Sequence, residues 1–77
     1  MKLEYLILTT SGPYAGEDTV ADREAACQAL DKGVRSAFGP AFTDEHDRAV
    51  KQIAANIRTA ELPFSYRTTA VSVTLSP

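Results

Sequence analysis

The sequence predicts a small α/β (α+β) domain in which two antiparallel helices pack on one face of a small antiparallel sheet. Three observations lead to this class. The chain has 77 residues, which suits a single domain, 1–77. Strand-like residues occupy segments near its two ends, 2–10 and 66–75. Apolar residues recur at helical spacing in two segments between them, near 19–38 and 43–60, so the predicted order is β-α-α-β.

The first strand, "KLEYLILTT", has apolar side chains on both of its faces. Alternation along a strand places Leu3 and Ile7 on one face and Leu6 and Leu8 on the other. Two helices cover only one face of so small a sheet, which leaves the second face open. Fully burying a leucine contributes about 1.5–3 kcal/mol. We therefore expect a homodimer, formed face to face or edge to edge, with two-fold symmetry.

The next stretch, "SGPYAGED", is dense in turn-forming residues. Its two glycines lack the lysine of a phosphate-binding loop and the spacing of a dinucleotide fingerprint, so we interpret the stretch as a turn. A two-stranded sheet is only marginally stable by itself. Two alternatives therefore stay open: either the loop from Ser11 to Asp18 supplies another strand, or a second copy or a partner completes the sheet.

The first helix is predicted to begin near Val20, with Asp18 or Thr19 as its N-cap residue. Gly33 inside this helix costs about 1 kcal/mol relative to alanine, and it marks either a close helix approach or an imperfect helix. Gly39 suits a left-handed C-terminal cap. The apolar stripe expected to form the packing face comprises Val20, Cys27, Leu30, Val34, Ala37 and Phe38.

The second helix begins in "TDEHDRAVKQIAANI", where Thr43 is the predicted N-cap residue. Three acids fall in the first turn, where the helix macrodipole favours negative charge: Asp44, Glu45 and Asp47. Asp44 and Arg48, and likewise Asp47 and Lys51, are spaced as favourable i, i+4 ion pairs. The acids are thus explained by the helix start, without a ligand.

His46, the only histidine, shares a helical stripe with Val50 and Ile53, so we expect it to pack at the edge of the core with its ring partly solvated. One cysteine and one histidine do not suffice for a zinc site made only of nitrogen and sulfur ligands. Cys27 lies on the buried stripe, where its thiolate is disfavoured, which argues against a Cys27–His46 catalytic pair. We predict no catalytic residue, no cofactor and no metal.

The final stretch, "PFSYRTTAVSVTLSP", alternates in the manner of a strand. One predicted face carries Val71, Val73 and Leu75, and the other carries Ala70, Ser72 and Thr74, with Phe64 and Tyr66 upstream on that second face. The length fits one long bent strand, or a short strand followed by a second strand from Thr68. The sequence leaves this choice open.

Composition places the chain among folded domains, because 44% of its residues are hydrophobic and 23% are charged. A formal net charge of −2 is too balanced to indicate a polyanionic partner. The single cysteine rules out an internal disulfide and suits a reducing compartment. Glu4 interrupts the apolar first segment, which also lacks a basic start, so it fits neither a signal peptide nor a membrane span. We expect a cytoplasmic protein with no membrane association.

The absence of a reactive constellation favours a non-enzymatic protein-binding module, regulatory or inhibitory, that acts through a sheet surface or a sheet edge. Aromatic residues with a neighbouring arginine are enriched at protein interfaces. Tyr5, Tyr66 and Arg67 are therefore the predicted protein-binding residues, with a partner of unknown identity. The alternative, which the sequence leaves open, is that the aromatic residues belong to the core. Inhibitors carried by phages or mobile elements are often of this size, which is an association with length alone.

The alternative function is nucleic-acid binding. Arg48, Lys51 and Arg58 share one face of the second helix, and Arg23 and Arg35 extend that basic region if the two helices pack side by side. Clustered cations of this kind contact phosphates. First-turn acids lie at one end of this face and partly cancel its field, so the alternative ranks second.

Overall fold

The structure, a computed structural model, describes all 77 residues and confirms the α+β class. Four strands form one antiparallel sheet in the spatial order β2-β1-β4-β3. Two 16-residue helices follow one another between the strands. The elements are β1 (Lys2–Thr9), β2 (Gly12–Thr19), α1 (Arg23–Phe38), a 3-10 turn (Gly39–Ala41), α2 (Asp44–Thr59), β3 (Phe64–Arg67) and β4 (Val71–Ser76).

The stretch "SGPYAGED" is a strand for most of its length, so its interpretation as a turn is wrong beyond Thr10 and Ser11. All eight residues of β1 pair with β2, from Lys2 with Thr19 to Thr9 with Gly12. Pairing along the whole of β1 thus outweighs the weak strand preference of β2 itself. The loop from Ser11 to Asp18 therefore supplies another strand, as one of the two alternatives held.

Helix α1 begins at Arg23, three residues later than predicted, and its N-cap residue is Asp22. The Asp22 carboxylate accepts a hydrogen bond from the Ala25 N–H at 2.7 Å. Asp18 and Thr19, the predicted caps, belong to β2 instead. Val20 extends the pairing with the first strand, since its N–H donates to the Met1 carbonyl at 2.8 Å, and its side chain is buried.

The other helix boundaries are confirmed. Gly39 has the positive φ of 54° expected where α1 ends. Thr43 is the N-cap residue of α2, and its side chain accepts the His46 N–H. The helices run antiparallel, because Arg58 near the end of α2 pairs with Glu24 near the start of α1. Both helices cover the same face of the sheet.

The core lies between this helix layer and the sheet. Leu3 and Ile7 from β1 have no exposed surface, whereas Glu4, Leu6 and Leu8 of the same strand point to the opposite face. Fourteen apolar residues form one buried cluster: Leu3, Ile7, Val20, Ala26, Cys27, Leu30, Val34, Val50, Ile53, Ala54, Ile57, Val71, Val73 and Leu75.

The final segment divides into two strands joined by a tight turn, in which the Thr68 N–H donates to the Val71 carbonyl at 2.7 Å. The turn reverses the alternation that a continuous strand would have kept. Phe64 and Tyr66 pair with Leu75 and Val73, and residues paired across strands share a face. The two aromatics therefore lie on the helix-covered face together with Val73. The prediction that placed them on the other face of the sheet is wrong.

Candidate protein-binding surfaces

The three predicted binding residues do not share one surface. Tyr5 from β1 and Tyr66 from β3 flank Val73 on the helix-covered face, where both are half-buried. Arg67 pairs with Ser72 and points to the opposite, uncovered face. The structure thus divides the predicted site between two sides of the sheet. Whether these residues bind a protein stays a prediction.

The uncovered side of the sheet, called here the open face, is apolar toward one end. Leu6 and Leu8 are 40% and 51% exposed on it, as predicted for the second face of β1. Their β2 partners, Ala15 and Pro13, extend this apolar region. Exposed large hydrophobic side chains are scarce elsewhere in the chain, since Tyr14 is the only other one. Large contiguous apolar patches are typical of interaction sites, which makes this region a candidate surface.

The other end of the open face is charged. Lys2 stands between two carboxylates, with its Nζ 3.1 Å from Glu17 and 3.9 Å from Glu4. A hydrogen bond to Glu17, followed by the attraction of both carboxylates, raises the pKa of the Lys2 ammonium. Two carboxylates share one cation here, so negative charge is in excess on the side of β1 and β2.

Arg67 supplies the balancing positive charge at the far edge of the same face, where it has no ion-pair partner within the chain. It borders a shallow depression of about 320 Å³ over β3 and β4. Three hydroxyl groups line this depression beside the guanidinium: those of Ser65, Ser72 and Thr74. Hydroxyls and a guanidinium together suit a carboxylate.

Strand β2 forms one edge of the sheet, and half of its backbone groups point away from β1. The Val20 N–H donates to the Met1 carbonyl, so even-numbered residues bond toward β1 and odd-numbered ones toward the free edge. Ala15, Glu17 and Thr19 therefore offer unpaired N–H and C=O groups along this edge. Pro13, which has no N–H, blocks the end near the turn.

A cleft of about 350 Å³ lies beside this edge, between β2 and α1. The ring of Tyr5 lies on its floor, against the α-carbons of Gly16 and Gly33, where a β-carbon would collide with it. Burial, and then the charges of Asp18 and Tyr14, raise the pKa of the Tyr5 hydroxyl. The residues of this tyrosine cleft are Tyr5, Tyr14, Asp18, Ala29, Lys32, Gly33 and Ser36.

Sequence reasoning missed Tyr14 and Lys32 as members of a common cleft. Tyr14 lies in the stretch interpreted as a turn, and Lys32 belongs to the solvated side of a helix. No spacing in the sequence relates them, because the pairing of β2 with β1 brings Tyr14 beside the helix. The glycines at 16 and 33 were the available signal, since each marks a close approach.

The basic face proposed for nucleic acid is largely occupied by contacts within the chain. Arg58 makes two hydrogen bonds with Glu24, at 2.9 and 3.1 Å, and Lys51 Nζ lies 2.8 Å from Asp47. Of the three residues, Arg48 alone has no ion pair. Nucleic-acid binding stays an untested prediction, and binding that weakens steeply as salt rises would support it.

Arg23 and Arg35 also have partners. Arg23 donates to the carbonyls of Ile57 and Ala60 at the end of α2. Arg35 bonds to Asp31 at 3.0 Å, reaches Asp47 at 3.2 Å and stacks over Phe42 at 4.5 Å from the ring centroid. These two arginines hold the helices together at opposite ends and do not extend a free basic surface.

His46 has a structural role at the start of α2. Its Nδ1 accepts the Thr43 N–H at 3.1 Å, which completes a capping box, and its ring stacks on Phe38 with a centroid distance of 3.9 Å. Cys27 instead contacts the Ala54 carbonyl, about two helical turns further along α2. Burial raises the pKa of the Cys27 thiol. No three residues with metal-binding side chains cluster in the structure.

Comparison with protein-family models, with curated proteins and with solved structures gives no match. Neither helix combines the length and the apolar character that a membrane span requires. The surfaces that remain as candidates for binding are the open face, the free edge of β2 and the tyrosine cleft.

Proposed function

We propose that the protein is a non-enzymatic binding module, regulatory or inhibitory, that takes up an extended segment of a partner protein along the free edge of β2. One observation carries this proposal: the row of unpaired backbone groups on β2 runs directly beside the tyrosine cleft. In strand addition, main-chain hydrogen bonds supply affinity, and pockets for alternate side chains supply specificity. The β2 edge offers both.

The added segment pairs with the part of β2 that lies beyond Pro13. Ala15, Glu17 and Thr19 present their N–H and C=O groups there, at every second residue. An added strand can bond to groups spaced in this way in either the antiparallel or the parallel direction. Every second side chain of the added strand then points to the helix-covered side, where the cleft lies. The opposite sheet edge, β3, has four residues and offers half the length.

The cleft combines apolar ring surface with polar ends. Tyr5 and Tyr14 present rings with hydroxyl groups, and Asp18 and Lys32 add one charge of each sign. Tyrosine provides large contact area together with a hydrogen-bonding group, which explains its enrichment at interfaces. We expect the bound segment to place a polar or aromatic side chain here. We also expect the partner in the cytoplasm, because a reducing compartment keeps a single unpaired thiol reduced.

Selection of peptides from a random displayed library, followed by titration against the purified protein, tests this proposal. Ala15→Pro removes an outward N–H and leaves the bonds between β2 and β1 intact, so it should abolish peptide binding while the fold is kept. Ala15→Ser retains the N–H and is the matched control. Tyr14→Ala should weaken binding at least tenfold.

Backbone amide exchange supplies a second readout for the selected peptides. The N–H groups of Ala15, Glu17 and Thr19 should gain protection when peptide binds, and amides of α2 should not change. A library that yields no binder, or binders that Ala15→Pro leaves unaffected, would refute strand addition at β2.

A further inference from the structure

We infer that the open face is covered by a second copy of the chain, packed face to face about a two-fold axis that runs parallel to the strands between β1 and β4. This surface lies opposite the tyrosine cleft and does not involve the outward groups of the β2 edge. The inference is therefore independent of the proposed function, and both surfaces can be occupied together.

The apolar end of the open face supplies the driving force for this contact. Leu6 and Leu8 remain 40% and 51% exposed although neighbouring helices bury their counterparts on the other side of β1. Stacked sheets lie about 10 Å apart, which lets side chains from the two faces interdigitate. The same leucines from both copies then share one buried layer.

The position of the axis follows from the order of the strands. A two-fold axis between β1 and β4 lays β1 over β4 of the second copy and β2 over its β3. The register then sets Leu6 opposite Ser72 and Leu8 opposite Ala70 of the second copy. Leu6 of one chain and Leu6 of the second chain are then offset laterally by one strand spacing, about 4.8 Å. The same offset holds for Leu8, and it lets the side chains of the two chains interdigitate in contact.

The charges of the open face are self-complementary under the same rotation. The strand pairings place Glu17 on β2 and Ser65 on β3 in the same row across the sheet, at its two edges. The rotation exchanges the two edges, so Glu17 comes to lie over Ser65 of the second copy. That position is the depression bordered by Arg67. Excess negative charge on one side of each face thus meets the unpaired guanidinium on the other.

The resulting contact forms twice, because an isologous interface repeats every interaction. Each carboxylate of Glu17 meets Arg67 and three hydroxyls, and charge-assisted hydrogen bonds of this kind are the stronger ones. Edge-to-edge pairing of two β2 strands is disfavoured by comparison. Pro13 lacks an N–H, which shortens the stretch of this edge that can pair with a second copy.

Light scattering or sedimentation equilibrium on the full chain tests the inference. Between about 1 and 200 μM the mass should approach twice the 8.3 kDa of one chain. Leu6→Lys should give monomers. Ala55→Lys, which adds the same charge on the exposed side of α2, should stay dimeric, and circular dichroism should show both variants folded.

Charge exchange provides a test that does not depend on the leucines. Glu17→Arg and Arg67→Glu should each weaken dimerisation at least tenfold, because each creates two like-charge contacts. An equimolar mixture of the two variants should restore a dimer of unlike subunits, in which both contacts are again attractive. A wild-type mass of 8.3 kDa throughout, or charge variants that dimerise as tightly as the wild type, would overturn the inference.

Discussion

The ring of Tyr5 occupies the space that a β-carbon on Gly33 would need, since that carbon would stand 2.5 Å from the ring Cζ. Gly16 on β2 contacts the same ring from another side. The two glycines thus let one aromatic ring lie between an edge strand and a helix. Gly33 thus marks a close approach, and the group that approaches this helix is the Tyr5 ring from β1.

We therefore expect Gly33→Ala to destabilise the protein, although alanine favours a helix by about 1 kcal/mol over glycine. Overpacking costs about 1–3 kcal/mol and should dominate while the Tyr5 ring is present. In a Tyr5→Ala background the same change should stabilise the protein. Urea denaturation of the four proteins in this double-mutant cycle measures the coupling.

Gln28→Ala, on the exposed side of the same helix, serves as the control in both backgrounds and should show no coupling to Tyr5. If Gly33→Ala stabilised the protein equally with and without the Tyr5 ring, the close contact would have no energetic consequence.

His46 should stabilise α2 through both its ring nitrogen and its ring face. His46→Ala removes the acceptor for the Thr43 N–H and the stack on Phe38. His46→Glu restores an N3 acceptor alone and should be about 1 kcal/mol more stable than the alanine variant. His46→Phe keeps the stack alone, which contributes about 0.5–1.5 kcal/mol. Equal unfolding free energies for the alanine and glutamate variants would contradict the capping role.

Arg23 should matter more than any other arginine for stability. Its guanidinium donates to the Ile57 carbonyl at 2.8 Å and also to the Ala60 carbonyl. Carbonyl groups at the end of a helix such as α2 have no partner within the helix, so Arg23 satisfies both. Hydrogen bonds to charged groups contribute about 1.5–3 kcal/mol each, and partial exposure reduces this. We expect Arg23→Ala to lower the free energy of unfolding by about 1–3 kcal/mol.

Arg48→Ala is the matched control, because Arg48 has no ion pair, and it should change stability by less than about 0.5 kcal/mol. Chemical denaturation of both variants makes the comparison. Equal losses at the two positions would show that the Arg23 contacts contribute nothing specific.

Stability should fall as the pH drops through the acid range. The hydrogen bonds from Arg58, and then its charge, lower the pKa of the Glu24 carboxyl below its ordinary value of 4.5. A carboxyl with a lowered folded-state pKa contributes stability above the unfolded-state pKa and loses it as pH falls through the folded value. A hydrogen bond from Lys51, with further attraction from neighbouring cations, lowers the pKa of Asp47 in the same direction.

Urea midpoints measured from pH 7 to pH 2 test this dependence. Glu24→Gln should lose less stability on acidification than the wild type does, because the titrating carboxyl is gone. Glu61→Gln, at an exposed carboxylate without an ion pair, should follow the wild-type curve. Parallel curves for Glu24→Gln and the wild type would contradict the assignment.

Local chemistry made the helical half of the fold predictable. Thr43 followed by first-turn acids, and Gly39 before Pro40, are signals within a few residues, and both boundaries agree with the structure. The start of α1 was misplaced because Thr19 and Asp22 both suit a cap. Pairing with β1 extends β2 to Thr19, which leaves Asp22 as the cap.

The candidate surfaces were harder to foresee, because they depend on pairings between distant residues. The exposure of Leu6 and Leu8 follows from alternation along one strand and was predicted correctly. Tyr66 was placed on the wrong face because the turn at Thr68 reverses the alternation of what looked like one strand. The contact of Arg23 with Ile57 spans 34 residues, and no local sequence pattern predicts it.

The centre of the sheet joins the two ends of the sequence, since β1 lies beside β4 and Lys2 pairs with Ser76. The outer strand pairs are local hairpins. Pairing β1 with β4, called here the seam, instead closes a loop of nearly the whole chain and incurs the largest loss of loop entropy. We expect seam formation to limit the folding rate. Val73→Ala at the seam should then slow refolding, whereas Tyr14→Ala in the outer hairpin should chiefly speed unfolding, which stopped-flow kinetics in urea would distinguish.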